Sequence, residues 1–205
     1  MAEPLLRLEG VHTHIGQYHI LQGVDFEVPA GGITVLLGRN GAGKTTTLRT
    51  IMGLWKPSRG RITFDGRDIG GLPTPDISRA GIAYVPESMG VFADLTVREN
   101  MILAAQRGQP DAARLDWVFG FFPALKRFWT HPAGVLSGGQ KQMLSIARAV
   151  IEPRRLILID EPTKGIAPAI IYGRIRLERK NFAIFSDKIG QGSVRKLFLP
   201  EVANG

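Results

Sequence analysis

Cysteine is absent from this chain of 205 residues, and histidine (4), tyrosine (3) and tryptophan (3) are scarce. Without cysteine there are no disulfides and no thiolate metal sites, which suits a reducing compartment. The histidines are His12, His14, His19 and His131. His12 and His14 share a strand face, but no third ligand lies near them in sequence, so they read as solvated strand side chains. No apolar run approaches the roughly 18 residues of a membrane span. The start, Met1-Ala2-Glu3-Pro4, lacks the basic and apolar regions of a secretory signal, and a cytoplasmic location is expected. Basic motifs interleaved with aromatics are missing too, so the net charge of +8 does not argue for nucleic acid as a partner. Half of that charge falls late: Gly173 to Gly205 holds seven Lys/Arg against three acids.

Glycine, by contrast, is plentiful and pointedly placed. Gly38-Arg39-Asn40-Gly41-Ala42-Gly43-Lys44-Thr45 reads G-x-x-x-x-G-K-T and follows the apolar run Ile33-Thr34-Val35-Leu36-Leu37. Good helix formers follow from Thr46 to Met52. A buried strand, a glycine-rich turn and a helix N-terminus make a phosphate cradle. Glycine lets backbone N–H groups curl round phosphate oxygens where a Cβ would obstruct. Lys44 supplies a point charge for the β- and γ-phosphates, and the Thr45 hydroxyl suits Mg2+. The chain is expected to bind a nucleoside triphosphate.

Around that loop the pattern changes along the chain. Leu6, Leu8 and Val11, then Val24, Phe26 and Val28, alternate as strands, with Pro29-Ala30-Gly31-Gly32 as a stop. Arg61 to Gly66 reads as a strand and turn, and Gly81 to Pro86 as a short buried strand. From Thr96 the period becomes helical, in segments carrying Val97, Met101, Leu103, Ala104 and Ala105, then Leu115, Val118, Phe119 and Phe122. A further helix is expected from about Gly139 to Val150. Arg155-Leu156-Ile157-Leu158-Ile159-Asp160 then has the continuous apolar character of a parallel strand covered on both faces. The aromatic stretch Trp117, Phe119, Phe121, Phe122, Phe128 and Trp129 reads chiefly as core, with an exposed docking patch as the alternative.

Two further segments carry chemistry. Asp160 and Glu161 put carboxylates at the C-terminal end of a buried strand, the edge where α/β sheets hold ligands. Asp160 is placed to reach Mg2+ held by Thr45, and Glu161 to polarise the water that attacks the γ-phosphate. Leu136-Ser137-Gly138-Gly139-Gln140 is a serine-capped, glycine-rich helix start, and hence a second anion site. One nucleotide needs only one cradle, so a second suggests that two subunits sandwich each nucleotide.

Gly38–Thr45, Leu136–Gln140 and Leu156–Glu161, in this order around a helical insertion, resemble the ATP-binding subunits of ABC transporters. Gly81 to Glu87, Val91-Phe92, Leu95 to Asn100 and Pro162-Thr163-Lys164-Gly165-Ile166-Ala167-Pro168 are similar to the branched-chain amino acid (LivF-like) type; urea and short-amide importers share much of this. The resemblance covers about residues 5 to 171. It implies an α/β P-loop NTPase cassette with an N-terminal antiparallel β-lobe and a helical subdomain at about 93–140. It implies ATP hydrolysis coupled to transport, with ATP and Mg2+ as ligands. Gly38, Arg39, Asn40, Gly41, Ala42, Gly43, Lys44, Thr45 and Thr46 would hold the nucleotide, and Thr45, Asp160 and Glu87 the metal, partly through water. Glu161 would be catalytic. Ser137, Gly138, Gly139 and Gln140 would close on ATP bound by a partner in a homo- or heterodimer. Transmembrane permease subunits would be partners, a periplasmic solute-binding protein an indirect one, and the location the inner face of the membrane.

Two departures stand out. Where many such ATPases have an aromatic residue ahead of glycine to stack the adenine, this chain has Ile15-Gly16, with Tyr18 nearby. After Ile171 the resemblance stops. Residues 172–205 read as a divergent tail, out of frame with or truncated relative to the family, lacking its switch His or Gln; Gln191 and Ser193 lie near the expected spacing. Phe182 to Phe185 is apolar enough for a short strand, but Gly190, Gly192 and the basic run at Arg195 do not read as a continuing sheet. Its middle is therefore expected to be open. The competing functions are an ATP-binding, dimerising cassette with impaired hydrolysis, and a small-molecule kinase. Leu136–Gln140 argues against the kinase, which needs an acceptor pocket instead of a second cradle.

Overall fold

The computed structural model describes residues 3–30, 33–105, 108–161, 182–186 and 195–198. Its elements begin with β1 (Leu6–Ile15), β2 (Tyr18–Val28), β3 (Ile33–Leu37), α1 (Lys44–Ile51), β4 (Arg59–Phe64), β5 (Arg67–Asp68), α2 (Thr74–Arg79) and β6 (Ile82–Val85). They continue with α3 (Val97–Ala104), α4 (Ala112–Phe121), α5 (Pro123–Arg127), a 3-10 turn (Ala133–Val135), α6 (Gly138–Val150), β7 (Leu156–Asp160), β8 (Phe182–Ser186) and β9 (Arg195–Phe198).

The alternation at the start builds an antiparallel sheet in the order β2-β1-β4-β5. Leu6, Leu8 and Val11 turn inward, while Arg7 faces out and pairs at 2.9 Å with Glu27, its cross-strand neighbour. The second sheet runs β6-β7-β8-β3-β9, and all its pairings are parallel. Strand β7 is buried along its whole length because each side meets a different core. Ile157 and Ile159 of β7 join Val35, Leu37, Val85 and the helical residues Met101, Leu144 and Ile146. Leu156 and Leu158 join Leu36, Ile82, Leu48 of α1 and the β-lobe residues Leu8, Phe26 and Phe64. The period-2 geometry of a strand thus sends alternate side chains to opposite layers.

Leu158 is fully buried, and truncating it leaves a cavity between the β-lobe and the parallel sheet. Leu158→Ala is expected to lower unfolding free energy by about 2–5 kcal/mol in urea titration. Leu103→Ala, at a side chain 59% exposed, should stay within about 0.5 kcal/mol. Equal losses would show that the core assignment is wrong.

The parallel sheet overturns the expectation of an open middle. β8 lies between β3 and β7, with Ile33 opposite Ala183 on one side and Ile157 opposite Ala183 on the other. β9 pairs with β3 on its far side, from Thr34–Arg195 to Leu37–Phe198. The reason is that a short apolar run suffices between two neighbours that are themselves continuous apolar strands, and the basic run at Arg195, which does not read as a continuing sheet, enters the ladder as β9. Gln191, Ser193 and Pro162 to Pro168 lie outside the described residues.

In the helical region, Thr96 caps α3 through a capping box with Glu99, and Asp111 caps α4. The aromatic stretch packs inward, as its main reading expects. Phe122 is buried, Trp117 meets Phe121 edge-on at 4.5 Å, and Phe119 meets Trp129 edge-on at 5.2 Å. Trp117, Phe119, Phe121, Phe128 and Trp129 are half-buried. α6 packs against α3, α5 and β6, carrying its N-terminal turn outward.

Candidate nucleotide site

The turn between β3 and α1 is built from left-handed glycines. Gly41 and Gly43 have φ of 87° and 85°, where a Cβ would be strained. A Cβ on Gly43 would also lie 2.8 Å from Leu21 Cδ2, so β2 and the loop touch there with no room to spare. Gly43 is the N-cap of α1 and provides no side-chain cap, so the first-turn N–H groups remain directed at whatever sits beyond the helix. Arg39, Asn40 and Gly41 are exposed; Ala42, Gly43 and Lys44 are buried; Thr45 and Thr46 are half-buried. The Lys44 ammonium folds back over the loop and donates to the carbonyls of Gly38 at 2.8 Å and Arg39 at 2.9 Å.

Thr45 is joined to the end of β7. Its hydroxyl donates to Asp160 Oδ1 at 3.1 Å, linking groups 115 residues apart in sequence. The second oxygen, Oδ2, accepts from the Tyr84 hydroxyl of β6 at 3.3 Å. Asp160 is fully buried, and Tyr84 sits one strand over, paired with Leu158. Burial first, and then the Asp160 charge, push the Tyr84 phenol up to about 12, with an Arg49 hydrogen bond acting the other way. The phenol therefore stays a donor at neutral pH. Sequence reading did not single out Tyr84 or Arg49. The available signal was a phenol on an otherwise apolar strand, and a cation one helical turn after Thr45.

Thr45 and Asp160 offer hard oxygens on two elements. That donor set fits Mg2+, which takes one or two protein oxygens and completes its shell with phosphates and water. Among the described residues no group of three His, Cys, Asp or Glu is arranged to hold a metal. His12, His14 and His19 instead stack, His14 on His19 at 4.2 Å, with His12 Nδ1 3.0 Å from His19 Nε2.

Glu161 follows Asp160 with a left-handed backbone, φ 47°, a conformation unusual for a residue with a Cβ. It stands at the sheet's C-terminal edge, next to Asp160. Glu87 is exposed just beyond β6, whose neighbour is β7. The segment after it is gripped by α6. Ser145 Oγ donates to the Met89 carbonyl at 2.5 Å, Arg148 donates to the Gly90 carbonyl, and the Arg148 guanidinium lies 5.1 Å over the Phe92 ring. These two α6 residues were also not anticipated from sequence.

Ser137 and Gln140 form a capping box at the start of α6: the Gln140 N–H donates to Ser137 Oγ at 3.3 Å, and the Ser137 N–H to Gln140 Oε1 at 2.9 Å. Ser137 and Gly138 are exposed, and a Cβ at Gly138 would meet nothing within 4 Å. So Lys44, Thr45 and Asp160 converge in one chain, while the second cradle opens to solvent. Near the β1–β2 turn, Tyr18 is 66% exposed and pairs with half-buried Ile15.

Comparison with known proteins agrees with this geometry. Residues 21–164 match the family model described as ABC transporter. The chain is 41% identical over 169 residues to the high-affinity branched-chain amino acid transport ATP-binding protein BraG of Pseudomonas aeruginosa, covering 82% of this chain and 72% of that one. It is 37% identical over 176 residues to a probable branched-chain amino acid transport ATP-binding protein LivF of Archaeoglobus fulgidus, covering 83% and 75%. Among solved structures, an ADP-bound ATP-binding cassette of an ABC transporter aligns with a TM-score of 0.75 at 25% identity, over 92% of this chain and 83% of that one. A bacterial Atm1-family ABC exporter with ATP bound aligns at 0.81 and 26% identity, over 98% of this chain and 38% of that one. The glycine loop, the buried Asp160 behind it and this extent of similarity lead to one conclusion: the chain belongs to the ABC transporter family as an ATP-binding cassette.

Proposed function

We propose that this chain is the ATP-hydrolysing subunit that powers import of branched-chain or related amino acids through membrane permease partners. The hydrogen bond between Thr45 and Asp160 carries the reading, because it joins the phosphate loop to the strand-end carboxylates in one buried place. The likeness to BraG and LivF supports the choice of solute. Residues Gly38 to Thr46 hold the triphosphate, with Lys44 charge and α1 N–H groups on its oxygens. Mg2+, held by Thr45 and Asp160 with Glu87 beside it, would neutralise charge on the β- and γ-phosphates. Glu161 takes a proton from water as it attacks the γ-phosphorus, giving ADP and phosphate.

Exposed Ser137 and Gly138, with half-buried Gly139 and Gln140, close on the ATP of a second subunit, so the complete site forms only in a dimer. ATP then acts between two half-sites, and its hydrolysis lets them part. The grip of Ser145 and Arg148 on Met89 and Gly90 ties this motion to the segment beside Glu87. The working location is the cytoplasmic face of the membrane, with a periplasmic solute-binding protein acting through the permease.

A second reading, a dimerising cassette with slow turnover, is favoured by one observation. β8 ends at Ser186, level with Asp160, and is not itself closed by the His or Gln that ends this strand in the family. Residues 172–205 are on that reading a divergent tail.

Reconstitution with the permease and solute-binding subunits tests both. Leucine-loaded binding protein is expected to raise phosphate release several-fold. Release that no branched-chain amino acid alters would reject the solute assignment. Dimerisation without measurable turnover would favour the second reading.

A further inference from the structure

Four polar side chains, Thr45, Arg49, Tyr84 and Asp160, ring the end of β7. Thr45 and Arg49 stand one turn apart on α1, so they present to the same side of the helix. Thr45 donates to Asp160 Oδ1 and Tyr84 donates to Asp160 Oδ2, while the Arg49 charge acts on the Tyr84 phenol. The carboxylate is thus held at both oxygens by donors on two different elements, α1 and β6. Tyr84 and Asp160 lie on the same face of the parallel sheet, the one carrying Leu156 and Leu158, towards α1.

We propose that Tyr84 is a positioning residue for the metal site: by occupying Asp160 Oδ2 it turns Oδ1 towards Thr45 as the oxygen presented to Mg2+. This deepens the proposed function and rests on Thr45 and Asp160 being the cation's protein ligands. A carboxylate with one oxygen already engaged has lost its freedom to swing about its terminal torsion. The torsion is broad and roughly two-fold, so without such a tether the carboxylate samples orientations that face away from the hydroxyl. Partners of this kind, one shell removed from a metal, typically change its affinity by about 10–100-fold when removed.

The test is calorimetric binding of the non-hydrolysable analogue AMP-PNP to the full chain, titrated with Mg2+ and compared with EDTA, for the native protein and Tyr84→Phe. The substitution removes one hydroxyl from a half-buried ring and keeps the ring. The expected result is a half-saturating Mg2+ concentration raised about tenfold or more, with AMP-PNP affinity in EDTA and the thermal midpoint both close to native. An unmoved Mg2+ curve overturns the proposal. So does an equal loss of affinity in EDTA, because the hydroxyl then supports the loop and not the metal site. If the native protein itself gains no affinity from Mg2+, the ligand assignment to Thr45 and Asp160 fails, and this proposal fails with it.

Discussion

Replacing Glu161 by glutamine slows phosphate release by about 10²–10⁴-fold, the usual contribution of a positioned general base. Glutamine keeps the size and hydrogen-bonding reach of the side chain but has no basicity, so binding and catalysis separate. ATP affinity should hold, because Lys44, Thr45 and the α1 N-terminus are untouched. Blocked hydrolysis also keeps ATP between two half-sites. If the site completes in a dimer as proposed, size-exclusion chromatography with ATP should therefore show a persistent dimer for this variant and less of it for the native chain. Turnover close to native would move the base to another residue. Loss of ATP binding would mean that the left-handed backbone at Glu161 supports the loop and not the chemistry.

Lys44→Ala acts one step earlier. Removing one member of a buried, hydrogen-bonded charge pair costs about 2–5 kcal/mol. At about 1.4 kcal/mol per tenfold, that weakens ATP binding by roughly 30- to 3,000-fold. Lys44 is only 7% exposed and donates to two loop carbonyls, so its removal also loosens the loop. Lys44→Arg should rescue little, since a planar guanidinium does not fit a buried position that holds a compact ammonium. Fluorescent-nucleotide titration measures both variants. Micromolar binding by the alanine variant, equal to native, would overturn the role of the ammonium.

The glycine loop, the capped start of α6 and the carboxylates ending β7 were legible because each is local: strand, turn and helix signals lie within a few residues. β1, β2 and β7 declared themselves by alternation or by a continuous apolar run. β8 did not. Phe182 to Phe185 is as apolar as a central strand needs, but so short a run among glycine and basic residues has no periodic signature of its own. β9 begins with Arg195 and Lys196 and reads as a charged stretch until β3 is placed beside it. The polar ring was hidden for the same reason. Tyr84 and Asp160 are 76 residues apart, and only the pairing of β6 with β7 brings them together. Contacts made by register leave no mark on the local sequence.

The central place of β8 has a consequence for the order in which the molecule can be assembled. β3 is complete early in synthesis and β7 much later, yet neither pairs with the other; both wait for residues 182–186. Until that segment leaves the ribosome, two apolar strand edges stand open on a nascent chain, the kind of edge that pairs with whatever strand is nearest. Sheet closure is therefore a late, long-range event with a high loop-closure cost. The antiparallel lobe, made from neighbouring segments, can form while the chain is still emerging. The glycine loop at the end of β3 gains its fixed partner at Asp160 only when β8 slides in between.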